Sequence, residues 1–155
     1  MQVLDRISMV LRQKGNVVIS IRSDASVYSA IEMMAEKQVG ALLVMEGDRL
    51  LGVISERDYA RKVILKGRSS KDTLVRDIMT ESPITIALDA SVDEAMRIMT
   101  TNRIRHLPVL DSEGHVFGVL SIGDLVNWIL TSQHETIEHL ERYISGGHAA
   151  PAAQR

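Results

Sequence analysis

The 155-residue sequence has no cysteine, so thiol catalysis, disulfide staples and cysteine-ligated metal centres are all excluded. Aromatic residues are scarce at 3%, and burial falls instead to Ile, Val, Leu, Ala and eight Met, within an apolar fraction of 45%. An excess of either charge is also missing: the formal net charge is −2 with 25% charged residues. That balance argues against a nucleic-acid binder, which normally shows a basic face or an alkaline isoelectric point. No long uninterrupted apolar run occurs. In the first twenty residues Asp5, Arg6, Arg12, Gln13 and Lys14 break up the apolar stretches, a pattern of neither a signal peptide nor a membrane span. The expectation is a cytoplasmic protein that needs neither membrane nor nucleic acid.

What is present is a repeat. Shifted by 65, residues 19–45 overlay residues 84–110 with ten of 27 pairs identical. ISIRSDASV (19–27) meets ITIALDASV (84–92), and one inserted residue then brings GVISERD (52–58) onto GVLSIGD (118–124). Agreement that extends to polar positions and keeps one order marks a duplicated structural unit.

Each copy shows the same sequence of patterns. A β-rich segment (17–21, 84–87) precedes Asp-Ala-Ser and then a helical spacing. Val27, Ala30, Ile31, Met34 and Ala35 form one buried face, as do Val92, Ala95, Met96 and Met99. Ser91 and Glu94 form the S-x-x-E pattern of a helix start. Two apolar runs about a polar turn follow, hairpin-like in both copies (ALLVM–EGDR–LLGVI and LPVL–DSEG–HVFGVL). A second helix is expected near 56–66 and 122–132.

The fold class is therefore α/β (α+β), two β-α-β-β-α repeats. About 50 residues alone bury too little for comfortable stability, so the copies should pack together with pseudo-twofold symmetry. The expected organisation is a lead-in helix in 1–16, repeat one in 17–66, a linker and lead-in in 67–82 and repeat two in 83–132. A C-terminal helix in 133–146 and a disordered tail in 147–155 complete it. Residues 3–13 are expected to lead into unit one and residues 67–80 into unit two.

The strand-start I-S/T-I with its D-A-S, RHLPVLD (105–111) and the two G-V-x-S-x-x-D stretches resemble the CBS-domain family, and their pairing resembles its Bateman module. VRDIMT (75–80) and ERDYARKV (56–63) resemble the stand-alone bacterial pairs in particular. The resemblance implies a non-catalytic regulatory module that binds adenine nucleotides, AMP first, with ADP, ATP or NAD(H) as further candidates, and no obligatory cofactor. It also implies a homodimer or higher homo-oligomer and a protein partner of unknown identity. A structural dimerisation module with unused clefts and an S-adenosylmethionine binder are the alternatives.

Ser55/Asp58 and Ser121/Asp124 each stand at the start of a second helix. Taken once, the pair is a helix cap, with Ser at the N-cap and Asp favoured by the macrodipole. The same geometry offers free N–H groups to phosphate and a carboxylate to vicinal ribose hydroxyls. The resemblance assigns ribose to Asp58 and Asp124 and phosphate to the neighbourhood of Ser55 and Ser121. It further brings Ser20 and Thr85, with the backbone near Ser23, Ala25, Leu88 and Ala90, against adenosine. Arg105 and His106 are a solvated basic pair or, as in the resembled family, phosphate ligands through forked hydrogen bonds.

In the resembled fold each cleft joins the strand-start of one unit to the S-x-x-D of the other. Site one combines Thr85, Leu88, Ala90, Arg105 and His106 with Ser55, Arg57 and Asp58. Site two combines Ser20, Ser23, Ala25, Val39 and Gly40 with Ser121 and Asp124. Arg57 and Arg61 align with Gly123 and Asn127, and Arg105 and His106 with Gly40 and Ala41, so site one is expected to be cationic and site two roomier and nearly uncharged. HETIEH (134–139) is set aside as a metal motif because its His residues lie five apart, about 140° around a helix. Asp111-Ser-Glu-Gly114 lacks the spaced ligands of a calcium loop.

Overall fold

The computed structural model describes residues 4–15 and 17–132. The expected C-terminal helix, the tail and the HETIEH segment lie outside the described residues. An opening helix α1 (Ile7–Lys14) precedes the first unit, which runs β1 (Ser20–Ile21), α2 (Val27–Lys37), β2 (Ala41–Glu46), β3 (Arg49–Ser55) and α3 (Glu56–Tyr59). The chain of α3 continues as a single π-helical segment, Ala60–Ile64. A one-turn helix α4 (Val75–Ile78) and a short strand β4 (Thr80–Glu81) lead on. The second unit runs β5 (Ile86–Ala87), α5 (Val92–Asn102), β6 (His106–Leu110), β7 (Val116–Ser121) and a helix α6 over 122–132.

The duplication is exact enough to repeat local irregularities. In both units the first strand pairs in parallel with the second, which pairs antiparallel with the third. The hairpin registers slip at Val44/Met45 and again at Val109/Leu110, positions 65 apart. Helices α2 and α5 start on Ser26 and Ser91, whose hydroxyls accept from the backbone N–H three residues on. Both end on a left-handed non-glycine residue, Gln38 (φ 56°) and Arg103 (φ 54°). A side chain there carries a steric cost of roughly 1–2 kcal/mol, and both copies accept it to turn the chain into the second strand.

Each unit has its own core. Val27, Ala30 and Met34 of α2 pack with Leu42, Val44 and Ile54 of the hairpin, and Val92, Ala95 and Met99 of α5 with Leu107, Val109 and Leu120. These faces follow the apolar stripes expected from the 3.6-residue period, with Ile31 and Met96 partly buried at their margins; Ala35, expected on the same face, is exposed near the end of α2. Leu43, between Leu42 and Val44, is also buried, at 2% exposure. Strand side chains alternate between faces, so the hairpin sheet of unit one is covered on both sides.

The lead-in segments are exchanged relative to the expectation. Ile7, Val10 and Leu11 of α1 complete the core of unit two, and Val75 and Ile78 of α4 complete that of unit one. Backbone bonds fix the exchange: Ile7 and Ser8 donate to the carbonyls of Ala90 and Leu88, and Val75 and Arg76 to those of Ala25 and Ser23. Trp128 adds an indole N–H bond of 2.9 Å to Asp5. Chain proximity suggested each lead-in would join the unit it precedes, but an apolar helix face is satisfied by either core. No helix among the described residues is long and apolar enough to cross a membrane.

Candidate functional site

The hairpin places Ser55 at the end of β3, where its neighbour begins a helix. Ser55 Oγ accepts from the Asp58 N–H at 3.2 Å and donates to Asp58 Oδ2 at 3.0 Å, and the Ser55 N–H donates to the same oxygen at 2.9 Å. Asp58 Oδ1 is met by Lys62 Nζ at 3.1 Å, one turn further along. Unit two repeats the box: the Ser121 N–H reaches Asp124 Oδ2 at 2.8 Å, and the Asp124 N–H reaches Ser121 Oγ at 3.1 Å. The capping reading of both S-x-x-D pairs is therefore realised. Each helix start is also tied to its own strand-start, Glu56 N–H to Gly40 O (3.0 Å) and Ile122 N–H to Arg105 O (2.8 Å).

A cleft of about 620 Å³ lies between the units and is lined by both. From unit one come Ser55, Arg57, Asp58 and Arg61; from unit two come Arg103, Ile104, Arg105 and His106, with Thr80 and Ser82–Ile84 along one side. Arg57 Nη1 bridges the halves, donating to the carbonyl of Arg103 at the end of α5 (3.4 Å). His106 is half-buried, and its pKa falls below the ordinary 6.5 chiefly through burial, then through the nearby Lys14 charge. Asp124 and Glu56 oppose that fall without reversing it. At neutral pH the imidazole is therefore uncharged, one ring nitrogen donating and the other accepting. The cleft walls supply guanidinium forks, hydroxyls and a carboxylate, a set that can hold a phosphate and a diol together.

Five residues expected in site one thus share a cleft: Ser55, Arg57, Asp58, Arg105 and His106. Thr85 is not among the side chains that line it, although its neighbour Ile84 is. Leu88 and Ala90 pack on the core of unit two, with their carbonyls committed to α1. Ser23 and Ala25 are the counterparts, their carbonyls committed to α4. Ser20 is exposed beside Leu43 in the sheet, and Val39 packs against the core of unit one. Gly40, expected in site two, borders the cleft of site one, where a Cβ would lie 3.1 Å from Glu56 Oε1 and 3.8 Å from His106 Cε1. The starts of β2 and β6 approach each other here, which brings Gly40 to this cleft.

One expectation is corrected. The surroundings of Asp124 are not nearly uncharged, because Lys14 Nζ lies 2.6 Å from Asp124 Oδ2 and 2.7 Å from the carbonyl of Val119. Sequence comparison missed Lys14, since it comes from the exchanged α1 and aligns with no charged residue of the repeat. It missed Glu56 as well, although Glu56 aligned with Ile122 was a visible asymmetry. Among the described residues no group of three or more His, Asp or Glu is placed to hold a metal ion.

Comparison with known proteins agrees with this architecture. The profile of the CBS domain matches residues 15–64 and 75–131. A mitochondrial CBS domain-containing protein of Arabidopsis thaliana, CBSX3, is 43% identical over 151 residues, covering 92% of this chain and 73% of the relative. The structure of a protein with CBS domains from Burkholderia ambifaria is 45% identical with a TM-score of 0.80, covering 83% of this chain and 96% of that one. A CBS domain protein from Pyrobaculum aerophilum, solved in complex with AMP, is 28% identical with a TM-score of 0.70, covering 77% and 89%.

Proposed function

The chain belongs to the CBS-domain family as a tandem pair, and from that membership we propose that it is a non-catalytic, cytoplasmic sensor of adenine nucleotides. One observation carries the reading: the Ser55–Asp58 capping box of one unit opens into the same cleft as Arg105 and His106 of the other. AMP is the favoured ligand, in keeping with the AMP complex of the Pyrobaculum aerophilum relative. Asp58 receives the ribose hydroxyls through Oδ1, with Lys62 giving way or sharing that oxygen, while Oδ2 keeps the helix capped. Arg57, Arg61 and Arg105 meet the phosphate, and neutral His106 donates to it. Asp124 anchors a second, unequal cleft with Ser121. The ligand signals by biasing the relation between the units, because only a difference in affinity between two conformations can shift their balance.

Association of modules with one another is part of the reading. Val126 and Leu130 on α6 and Ile64 and Leu65 after α3 are exposed apolar side chains, with Leu65 76% accessible. Such residues on equivalent helices suit a self-complementary contact between two copies.

Thermal melting with AMP, ADP, ATP, NAD(H) and S-adenosylmethionine tests the proposal. A ligand that binds only the native state at a hundred times its Kd adds about 2.7 kcal/mol of stability. We expect AMP to raise Tm by several degrees. No rise with any member of the panel at millimolar concentration overturns the nucleotide reading and favours a purely structural pair.

A further inference from the structure

The two capped aspartates are held by lysines of different origin. Asp58 is met by Lys62 from its own helix, which also donates to Ile78 O at 2.9 Å. Asp124 is met by Lys14, 110 residues away in sequence, from the end of α1. The cause lies in how the two lead-ins continue. Matched through their bonds to Ala90 and Ala25, Ile7 stands where Val75 stands, and Lys14 therefore corresponds to Ser82. After α4 the chain leaves the helix at Met79, whose backbone is extended, and Ser82-Pro83 follows. It then extends as β4 along β3, pairing Thr80 with Val53. Helix α1 instead runs on to Lys14, and the β7 edge gains no fourth strand among the described residues. Val119, the counterpart of Val53, has its carbonyl satisfied by the Lys14 ammonium instead.

We propose, resting on the nucleotide reading above, that Lys14 is the phosphate-selecting cation of the second cleft, lent to unit two by the exchanged helix α1. Unit two lacks counterparts of Arg57 and Arg61 on its own helix, with Gly123 and Asn127 in their places. The ammonium has three donors. Two are used by Val119 O and Asp124 Oδ2, and the third is left for an anion. The side chain is 38% accessible beside an Asp124 that is 20% accessible, so a ligand reaches both. A ribose on Asp124 then brings its phosphate toward Lys14, and a nucleoside without phosphate gains nothing from it. The second cleft is thus selective for phosphorylated ligand by a residue outside the repeat.

Calorimetric titration with AMP and with adenosine tests this on wild type, Lys14→Gln, Lys14→Arg and Lys62→Gln. One of the two AMP binding events should weaken at least tenfold in Lys14→Gln and less than threefold in Lys14→Arg. Adenosine should change less than threefold in both, and Lys62→Gln should leave that same AMP event within threefold of wild type. Trp128 emission reports whether α1 stays seated, since the indole bonds to Asp5 ahead of the helix. A helix that came loose would weaken AMP and adenosine together, and that result contradicts the proposal, as does unchanged or tighter AMP binding in Lys14→Gln. Wild type that binds neither ligand defeats the nucleotide reading itself, a result distinct from wild type that binds both and ignores Lys14.

Discussion

The two units agree in register slips, helix caps, left-handed turns and capped aspartates, and differ in almost every charge that borders those aspartates. Unit one contributes Glu56, Arg57 and Arg61 from its second helix, where unit two has Ile122, Gly123 and Asn127. Unit two contributes Arg105 and His106 from its strand-start, where unit one has Gly40 and Ala41. Because the second helix of unit one and the strand-start of unit two line the same cleft, these differences add there, and beside Asp124 the cation is Lys14. Packing positions are constrained equally in both copies, since each must fill a core of the same shape. Charges on the cleft walls carry no such constraint, and the two copies differ there while their cores agree.

The equivalence of the cores can be broken first, and with the largest effect. Leu42 and Leu107 occupy matched positions in β2 and β6 and are 1% and 0% exposed. Leu42→Ala and Leu107→Ala should each destabilise the protein by about 2–5 kcal/mol, measured by urea unfolding. Similar losses and a single transition are expected if the units fold as one cooperative body. Two separated transitions, each sensitive to one substitution, would show that the cores are independent.

A smaller effect sharpens the charge comparison. His106, with no titratable equivalent in unit one, has a folded pKa lowered from 6.5 by burial and by Lys14. The unfolded chain therefore binds the proton more readily than the folded chain. The stabilisation is fully present above about pH 6.5 and is lost as pH falls below it through the folded value. Wild type should lose stability between pH 7 and 5 more steeply than His106→Gln, by denaturant unfolding at a series of pH values. Parallel curves for the two proteins contradict the buried, neutral imidazole.

Much of this was legible in the sequence because a repeat states its own alignment. The stripe Val27, Ala30, Met34 with its copy Val92, Ala95, Met99 fixed the buried helix faces, and the paired S-x-x-D located both capping boxes. What escaped was everything decided by the arrangement of segments in space. An apolar helix face such as Ile7, Val10 and Leu11 does not say which of two similar cores it will fill. Lys14 acquired a role only once α1 had crossed to unit two, and Gly40 reached the cleft of site one because the starts of β2 and β6 approach each other. The carbonyls of Leu88 and Ala90, residues expected beside the ligand, also hold a helix, an obligation that any buried backbone group must meet somehow.

The claim of two unequal clefts anchored on Asp58 and Asp124 is tested most directly by AMP calorimetry on wild type, Asp58→Asn and Asp124→Asn. Asparagine keeps an acceptor for the N–H of Ser55 or Ser121 and so retains much of the cap, while removing the charge. Loss of a hydrogen bond to a charged group is worth roughly 1.5–3 kcal/mol, which corresponds to about ten- to a hundredfold in affinity. Wild type should bind two AMP with different affinities, and each substitution should abolish or weaken one event and leave the other in place. A single class of site in wild type, or equal weakening of both events by either substitution, would contradict the account.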